Sequence, residues 1–138
     1  MKVYITGIAG FIGYHTACFL REHGHEVTGC DNYNDYYDVD LKRHRAKLLN
    51  YRQITIDELD INDMTSDSLG DSEIVLHLAA YAGVRASLED PYSYIQTNIV
   101  GTQRVIDACT EANVPVLYAS TSSVGSGVDL PFTEDSPF

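Results

Sequence analysis

The sequence KVYITGIAGFIG, residues 2–13, joins three local signals in a fixed order. Its first five residues are mostly β-branched, aromatic or apolar, which favours a strand. Glycines follow at positions 7, 10 and 13, and an apolar pattern of helical period begins at Phe11. A strand, a glycine-rich turn and a helix N-terminus can receive a dinucleotide diphosphate, because the free amides and positive dipole end of the helix attract an anion.

Each glycine has its own expected role. Gly7 allows a sharp turn off the strand, Gly10 lets phosphate oxygens approach the backbone, and Gly13 lets the helix lie close to the sheet. Their G-x-x-G-x-x-G spacing is weak evidence alone, because a strand-to-helix turn without a ligand can also have it. Asp31 follows Gly13 by eighteen residues, at the end of the second expected strand. Its carboxylate can accept both hydroxyls of an adenosine ribose and repels a 2′-phosphate, which predicts NAD rather than NADP.

Composition and charge restrict the class of protein. The chain has 138 residues, enough for one domain, and its net charge of −11 argues against nucleic acid or an anionic membrane as partner. No apolar run approaches the ~20 residues of a membrane span, and the N-terminus does not resemble a signal peptide. Cys18, Cys30 and Cys109 are far apart and lack metal-ligand spacing. They indicate reduced thiols in a cytoplasmic protein without a metal site.

The rest of the chain alternates expected helices and strands. Helices are predicted over residues 11–23, 39–50, 62–69 and 91–113, and strands over 2–6, 25–30, 53–56, 73–78 and 114–119. This alternation predicts an α/β, Rossmann-like, doubly wound parallel sheet of strand order 3-2-1-4-5 within three αβα layers. That order places the glycine turn where the strand order reverses, which is where ligands bind.

Two of these helices carry marked apolar stripes. Helix 11–23 has a stripe formed by Ile12, Thr16, Phe19 and Leu20. Helix 91–113 has two stripes, namely Ile95, Ile99, Thr102 and Ile106, and Gly101, Val105, Ala108 and Ala112. One stripe of helix 91–113 should cover the sheet. The other is either additional core or a face for a partner helix, and we favour the partner.

Three segments lie at expected carboxyl ends of strands, where a parallel sheet binds its ligands. Residues 31–38 form either a solvated crossover or the rim of an adenosine pocket. His77-Leu78-Ala79-Ala80 ends a strand in small side chains that leave room for a flat group, and His77 is expected to be buried and hydrogen-bonded rather than catalytic. Residues 120–123 are four consecutive hydroxyl residues, either an ordinary serine-rich loop or one wall of the crevice.

Taken together, these segments resemble the extended short-chain dehydrogenase/reductases, the NAD-dependent nucleotide-sugar epimerases and dehydratases. The matching motifs are Thr6-Gly7-x-x-Gly10-x-x-Gly13, Asp31-Asn32, His77-Leu78-Ala79-Ala80, Asn98-x-x-Gly101-Thr102 and Ser120-Thr121-Ser122. Residues 31–39 with Leu41-Lys42, and residues 82–88, look like the UDP-glucuronate 4-epimerases of this family. The resemblance covers nearly the whole chain and implies the NAD(H)-binding half of such an epimerase.

The resemblance also implies a role for each candidate residue. The diphosphate of NAD would be held by Gly7, Gly10, Phe11 and Ile12. The adenosine would be held by Asp31, with Asn32 and Asn34 beside it and Asp60 and Ile61 at the adenine. The path to the nicotinamide would be lined by Leu78, Ala79 and Ala80, and Asn98 would help to order an active-site water. Thr121 matches the catalytic Ser/Thr of the family, and Ser122 and Ser123 would lie near the substrate. Arg85 either meets the sugar or its carboxylate, or is a solvated loop arginine.

In the family that the chain resembles, a tyrosine with a lysine beside it removes a proton from the sugar 4-OH. Hydride passes from C4 to NAD⁺, the 4-keto sugar turns over, and hydride returns to the opposite face. This sequence has no Tyr-x-x-x-Lys motif, and its lysines, Lys2, Lys42 and Lys47, all precede Thr121.

We therefore expect residues 1–138 to be a partial, truncated NAD-binding domain that lacks the substrate domain and is inactive alone. It is expected to form a homo-oligomer, or to pair with a complementary half, through helix 91–113. Two other interpretations remain open. The chain is a stand-alone NAD-binding module without catalysis, or a folded remnant that binds no nucleotide.

Overall fold

The computed structural model describes residues 1–121 and Thr133. Its strands and helices, in chain order, are β1 (Lys2–Thr6), α1 (Phe11–Glu22), β2 (Glu26–Asp31), α2 (Val39–Tyr51), β3 (Thr55–Glu58), β4 (Ile74–His77), α3 (Val84–Glu89), α4 (Pro91–Ile95), α5 (Thr102–Ala112) and β5 (Val116–Tyr118). Two short 3₁₀ helices, Ile61–Asp63 and Ser66–Leu69, precede β4, and a π-helical segment, Gln96–Gly101, joins α4 to α5.

The strands form one parallel sheet in the order β3-β2-β1-β4-β5, which confirms the predicted fold class and topology. Strand β1 lies at the centre, where Thr6 pairs with Cys30 of β2 on one side and with His77 of β4 on the other. The chain adds β2 and then β3 on one side of β1, and β4 and then β5 on the other side. A crevice therefore opens beyond the carboxyl ends of β1 and β4.

Different helices cover the two faces of the sheet. Val3 of β1 packs in a cluster with Ala17 of α1 and Leu49 of α2. The next residue, Tyr4, packs in a separate cluster with Val105 of α5. Because neighbouring residues of a strand point to opposite faces, α1 and α2 lie on one face and α5 on the other. This arrangement gives the three expected αβα layers.

The apolar stripe of α1 does not coincide with the face that packs on the sheet. Ile12 and Phe19 are 62% and 59% exposed, whereas Gly13, Ala17 and Cys18 are buried. The helix lies so close to the glycine turn that a Cβ added at Gly13 would come within 2.2 Å of a backbone oxygen. Close approach therefore selects small residues where α1 touches the sheet, while Tyr14 and Leu20 pack at the side and Ile12 and Phe19 stay outside.

The helix expected over 91–113 is one continuous helical stretch made of α4, the π-helical segment and α5. Asp90 caps its start by accepting a hydrogen bond from the Ser93 amide at 3.2 Å, and Asn113 ends it in the left-handed conformation with φ of 56°. The stripe that contains Val105 and Ala108 faces the sheet. Ile99, in the other stripe, is 64% exposed.

Several local predictions differ from the structure. The third strand, expected over 53–56, lies at Thr55–Glu58. The helix expected over 62–69 is replaced by the two 3₁₀ helices, because Asp60 caps the first and Thr65 the second in separate turns. Helix α3 was not predicted at all.

Of the described helices, none is both long enough and apolar enough to span a membrane.

Candidate functional site

A cleft opens at the edge of the sheet where the strand order reverses. Its walls come from the glycine turn, the end of β2, the loop 31–38, α2 and the loop after β4. Nine residues predicted from the sequence line it: Gly7, Gly10, Asp31, Asn32, Asn34, Ile61, Leu78, Ala79 and Ala80. The topology therefore brings both expected halves of a dinucleotide site to one cleft.

The glycine turn borders the cleft and leads into the uncapped first turn of α1. Gly7 has φ of +69°, and a Cβ there would lie 2.9 Å from backbone atoms of Ala79. Gly10 is the N-cap residue, and no side chain among the described residues caps the helix. The first-turn amides, including those of Phe11 and Ile12, are therefore free to donate to an anion.

Asp31 connects β2, the glycine turn and the loop that follows. Its side chain is 6% exposed. One carboxylate oxygen accepts a hydrogen bond from the Ala9 amide at 3.0 Å, and the other accepts from the Tyr33 amide at 2.9 Å. Each oxygen keeps a further acceptor site, so the same carboxylate can also receive ribose hydroxyls.

The loop 31–38 forms the rim of the cleft. The Asn32 amide nitrogen donates to the Asp60 carboxylate at 2.7 Å, and Lys42 Nζ donates to the Asn34 side-chain and backbone oxygens at 2.5 and 2.8 Å. Burial opposes ionisation of Asp60, but hydrogen bonds from Asn62 and Asn32 outweigh it and hold the pKa of Asp60 below its usual value. The loop is thus ordered by its own polar side chains and not merely solvated.

Thr6 and His77 fix the small-residue segment after β4. Thr6 Oγ1 accepts hydrogen bonds from the Leu78 and Ala79 amides, each at 3.1 Å, and therefore donates its own hydrogen to His77 Nδ1 at 2.7 Å. His77 Nε2 then donates to Thr102 Oγ1 at 3.0 Å. Burial lowers the pKa of His77, which keeps the ring neutral. The prediction of a buried, hydrogen-bonded histidine is confirmed.

The loop 79–83 is held by side chains from two other elements. Asn98, in the π-helical segment, donates to the Tyr81 carbonyl at 2.9 Å and accepts from the Tyr81 amide at 2.8 Å. The hydroxyls of Tyr36 and Tyr94 both donate to the Ala82 carbonyl. Asn98 thus positions the loop through both of its polar groups, and its role in ordering a water stays a prediction.

Seven of the described candidate residues do not line the cleft, namely Phe11, Ile12, Gly13, Asp60, Arg85, Asn98 and Thr121. Arg85 is exposed on α3, and Thr121 is exposed after β5. Ser122 and Ser123 lie outside the described residues. Within residues 1–121 and Thr133, no group of three His, Cys, Asp or Glu side chains is close enough to hold a metal ion.

Six more residues line the cleft: Tyr36 and Tyr37, from the loop 31–38 already considered as a pocket rim, and Cys30, Lys42, Leu59 and Thr97, which sequence reasoning missed. Lys42 is the most informative, because only 4% of it is exposed. The signal for it was available, since Lys42, Ala46 and Leu49 share the helical spacing that marks the buried face of α2. A lysine on a buried helix face indicates a polar site rather than a solvated surface.

Comparison with known proteins gives a consistent assignment. Residues 3–138 match the NAD dependent epimerase/dehydratase family. The chain is 42% identical over 141 residues to UDP-glucuronate 4-epimerase 2 of Arabidopsis thaliana, an alignment that covers 97% of this chain and 32% of the plant protein. It is 41% identical over 139 residues to Protein CapI of Staphylococcus aureus, covering 96% of this chain and 42% of that protein.

A solved structure shows the same fold. A tyrosine-to-phenylalanine variant of UDP-glucuronic acid 4-epimerase from Bacillus cereus, in complex with UDP-4-deoxy-4-fluoro-glucuronic acid and NAD, superimposes with a TM-score of 0.89. It is 33% identical, and the match covers 98% of this chain and 45% of that one. The chain spans about a third of the length of its plant relative. Sequence, sheet order and glycine turn agree, and the chain belongs to the NAD dependent epimerase/dehydratase family.

Proposed function

We propose that this chain is the NAD(H)-binding part of a nucleotide-sugar 4-epimerase whose substrate is UDP-glucuronate or a closely related UDP-sugar. The observation that carries the proposal is the buried Asp31 carboxylate beside the uncapped start of α1, in one cleft with Leu78, Ala79 and Ala80. The relatives named as UDP-glucuronate 4-epimerases support the choice of substrate.

The residues of the cleft fit a dinucleotide in both shape and charge. The Phe11 and Ile12 amides would hold the diphosphate, and the absence of a Cβ at Gly10 leaves room for it. Asp31 would receive the ribose hydroxyls and exclude a 2′-phosphate. The buried Ile61 would border the adenine. The narrow backbone path at Leu78 to Ala80, held by Thr6, would lie along the nicotinamide side.

The chemistry that bound NAD would supply is reversible hydride transfer at C4 of the sugar. The chain's own residues would place the sugar. Thr121 would hydrogen-bond the reacting hydroxyl, with Ser122, Ser123 and Arg85 on the sugar side. These 138 residues contain no Tyr-x-x-x-Lys pair, and a threonine hydroxyl is too weak a base, so proton removal needs a base from another polypeptide segment.

A second candidate function is a stand-alone, non-catalytic module that binds the dinucleotide and associates with another chain. The exposed apolar residues of helix 91–112, among them Ile95 and Ile99, favour it. The two functions are separated by complementation. Epimerisation of UDP-glucuronate on mixing with the Tyr-x-x-x-Lys portion of a relative supports the first function, whereas NAD⁺ binding without turnover supports the second.

The first experiment is isothermal titration of the chain with NAD⁺ and NADP⁺. We expect NAD⁺ to bind with a micromolar dissociation constant. NADP⁺ should bind at least about tenfold more weakly, because Asp31 repels the 2′-phosphate. Asp31→Asn should weaken NAD⁺ binding and narrow the difference between the two nucleotides. Glu111→Gln, which makes the same change of charge at an exposed position of α5, should behave like the wild type. If NAD⁺ does not bind, the proposed function is wrong.

A further inference from the structure

Two basic residues of α2 lie beside the cleft and form no ion pair with a carboxylate of the described residues. Lys42 lines the cleft and is almost fully buried, and Arg45, nearly one turn later, is half-buried. Among the described residues, carboxylates lie within 4.0 Å of Lys2, Arg43 and Arg52, but not of Lys42 or Arg45. The chain has 20 acidic and only 9 basic residues. Lys42 and Arg45 therefore place two positive charges beside the cleft of an acidic chain, which suggests a site for another anion.

Tyr37 holds both cations near the glycine turn. Arg45 Nη1 donates to the Tyr37 hydroxyl at 3.0 Å and to the Ala9 carbonyl at 3.5 Å. Lys42 Nζ lies 4.7 Å from the centroid of the Tyr37 ring. A Cβ added at Gly10 would come within 4.0 Å of the same hydroxyl. The two cations therefore stand beside the turn whose helix amides have no cap.

Both cations keep hydrogen-bond donors for a ligand. Lys42 Nζ donates twice to Asn34, and its third hydrogen remains. Arg45 uses only Nη1 in its hydrogen bonds to the described residues, out of the five N–H groups of a guanidinium. Burial lowers the pKa of Lys42, while the charges of Asp31 and Asp35 act in the opposite direction. An anion in the cleft would offset the unfavourable burial of this ammonium group.

We propose that Lys42 and Arg45 form an anion subsite that holds the diphosphate of a dinucleotide against the N-terminus of α1. The inference rests on the proposed function and adds two cofactor-binding residues to it. The helix amides supply directional hydrogen bonds, and the two cations supply the net charge that neutral amides lack. In so acidic a chain, these cations provide the local positive potential that attracts a nucleotide.

Titration calorimetry on variants of the 138-residue chain tests the subsite, with NAD⁺ and ADP as ligands. Lys42→Met and Arg45→Gln remove the charges and keep most of the side-chain length. Each substitution should lower the affinity for both ligands by roughly ten- to a hundredfold, as expected for the loss of a hydrogen bond to a charged group. Lys47→Met removes an exposed charge from the same helix and should leave both affinities unchanged. Arg45→Lys should recover part of the loss.

Salt dependence distinguishes charge from a purely structural role. Because salt screens charge attraction, wild-type affinity should fall between about 50 and about 300 mM NaCl, and it should fall less in the two site variants. A Lys42→Met protein that binds weakly but keeps the wild-type salt dependence would show that Lys42 only orders Asn34, and would overturn the subsite. If the wild-type chain binds both ligands and the two variants bind them with the same affinity, the subsite is wrong and the proposed function still stands. A wild-type chain that binds neither ligand overturns both.

Discussion

The hydrogen bonds around His77 leave no acceptor for a second ring proton. Thr6 Oγ1 accepts from two backbone amides, so its single hydrogen points at His77 Nδ1. A proton on Nδ1 would face that hydrogen and break the bond. Burial acts in the same direction and lowers the pKa of His77. The neutral ring is therefore part of what holds the loop after β4 in place.

This predicts a pH-dependent stability. Unfolded His77 titrates near its usual pKa of ~6.5 and folded His77 titrates lower, so the unfolded state binds more protons between the two values. The contribution of His77 to the free energy of unfolding should be constant above pH ~6.5 and should fall as the pH drops below that value. Urea unfolding at about pH 7.5 and about pH 5.5 measures the difference. His77→Gln, which can still donate to Thr102, should reduce the change in the free energy of unfolding between the two pH values. An equal change in both proteins would contradict the prediction.

Gly13 tests the close approach of α1 to the glycine turn. In an ordinary helix interior, Gly→Ala stabilises by about 1 kcal/mol. Here a Cβ would lie 2.2 Å from the Gly7 oxygen and 2.8 Å from Ile8 Cα, both of which are backbone atoms. We expect Gly13→Ala to reverse the sign and destabilise the chain by about 1–3 kcal/mol in urea unfolding. A variant as stable as the wild type would contradict this packing.

At the scale of elements, the loop 79–83 depends on contacts from distant parts of the chain. Tyr36 reaches it from the rim loop and Tyr94 from α4, and both hydroxyls donate to the Ala82 carbonyl. The Tyr81 ring lies between them, 5.1 Å from Tyr36 and 5.4 Å from Tyr94 between centroids. Gly83, with φ of +98°, allows the chain to turn there.

Removal of the two hydroxyls should loosen this loop without unfolding the sheet. A carbonyl oxygen can serve two donors, so Tyr36→Phe or Tyr94→Phe alone should have a small effect and the double variant a larger one. Hydrogen exchange of the amides in residues 80–84 measures it, and exchange in β1 and β4 should stay unchanged. Tyr51→Phe, at a highly exposed position, is the matched control. Unchanged exchange in the double variant would contradict a holding role for the tyrosines.

The elements also show where sequence reasoning reached its limit. Strand β1 and the start of α1 were predicted to the residue, because β-branched residues and glycines act locally. The π-helical segment was not predicted, since it depends on tertiary contacts. Gly101 packs so tightly that a Cβ would lie 2.6 Å from Ile61, and Asn98 is held by Tyr81. No periodicity in the sequence records such contacts.

At the scale of the whole molecule, the sheet order was predictable because alternating strands and helices permit few right-handed topologies. The glycines and Asp31 then located the cleft, because the sheet order fixes where strand ends meet. Lys42 was missed because the spacing of α2 indicates that it is buried but not which element it faces, and that depends on how α2 packs. In the same way, the outward position of Ile12 and Phe19 follows from the close approach of α1 and not from its apolar pattern.

Helix 91–112 carries an apolar face that points away from the sheet. Ile95 and Ile99 are exposed there, and β5 is an edge strand of the described sheet. Exposed apolar area of this kind favours association, so we expect the chain to self-associate in sedimentation velocity as its concentration rises. Ile99→Asp should shift it to the monomer, because a charge would be buried in the contact. Phe19→Asp, on the opposite side of the sheet, should not. If Phe19→Asp dissociates the chain instead, the interface lies on α1. If the wild-type chain is a monomer at every concentration, self-association is contradicted and the face can only serve a different polypeptide.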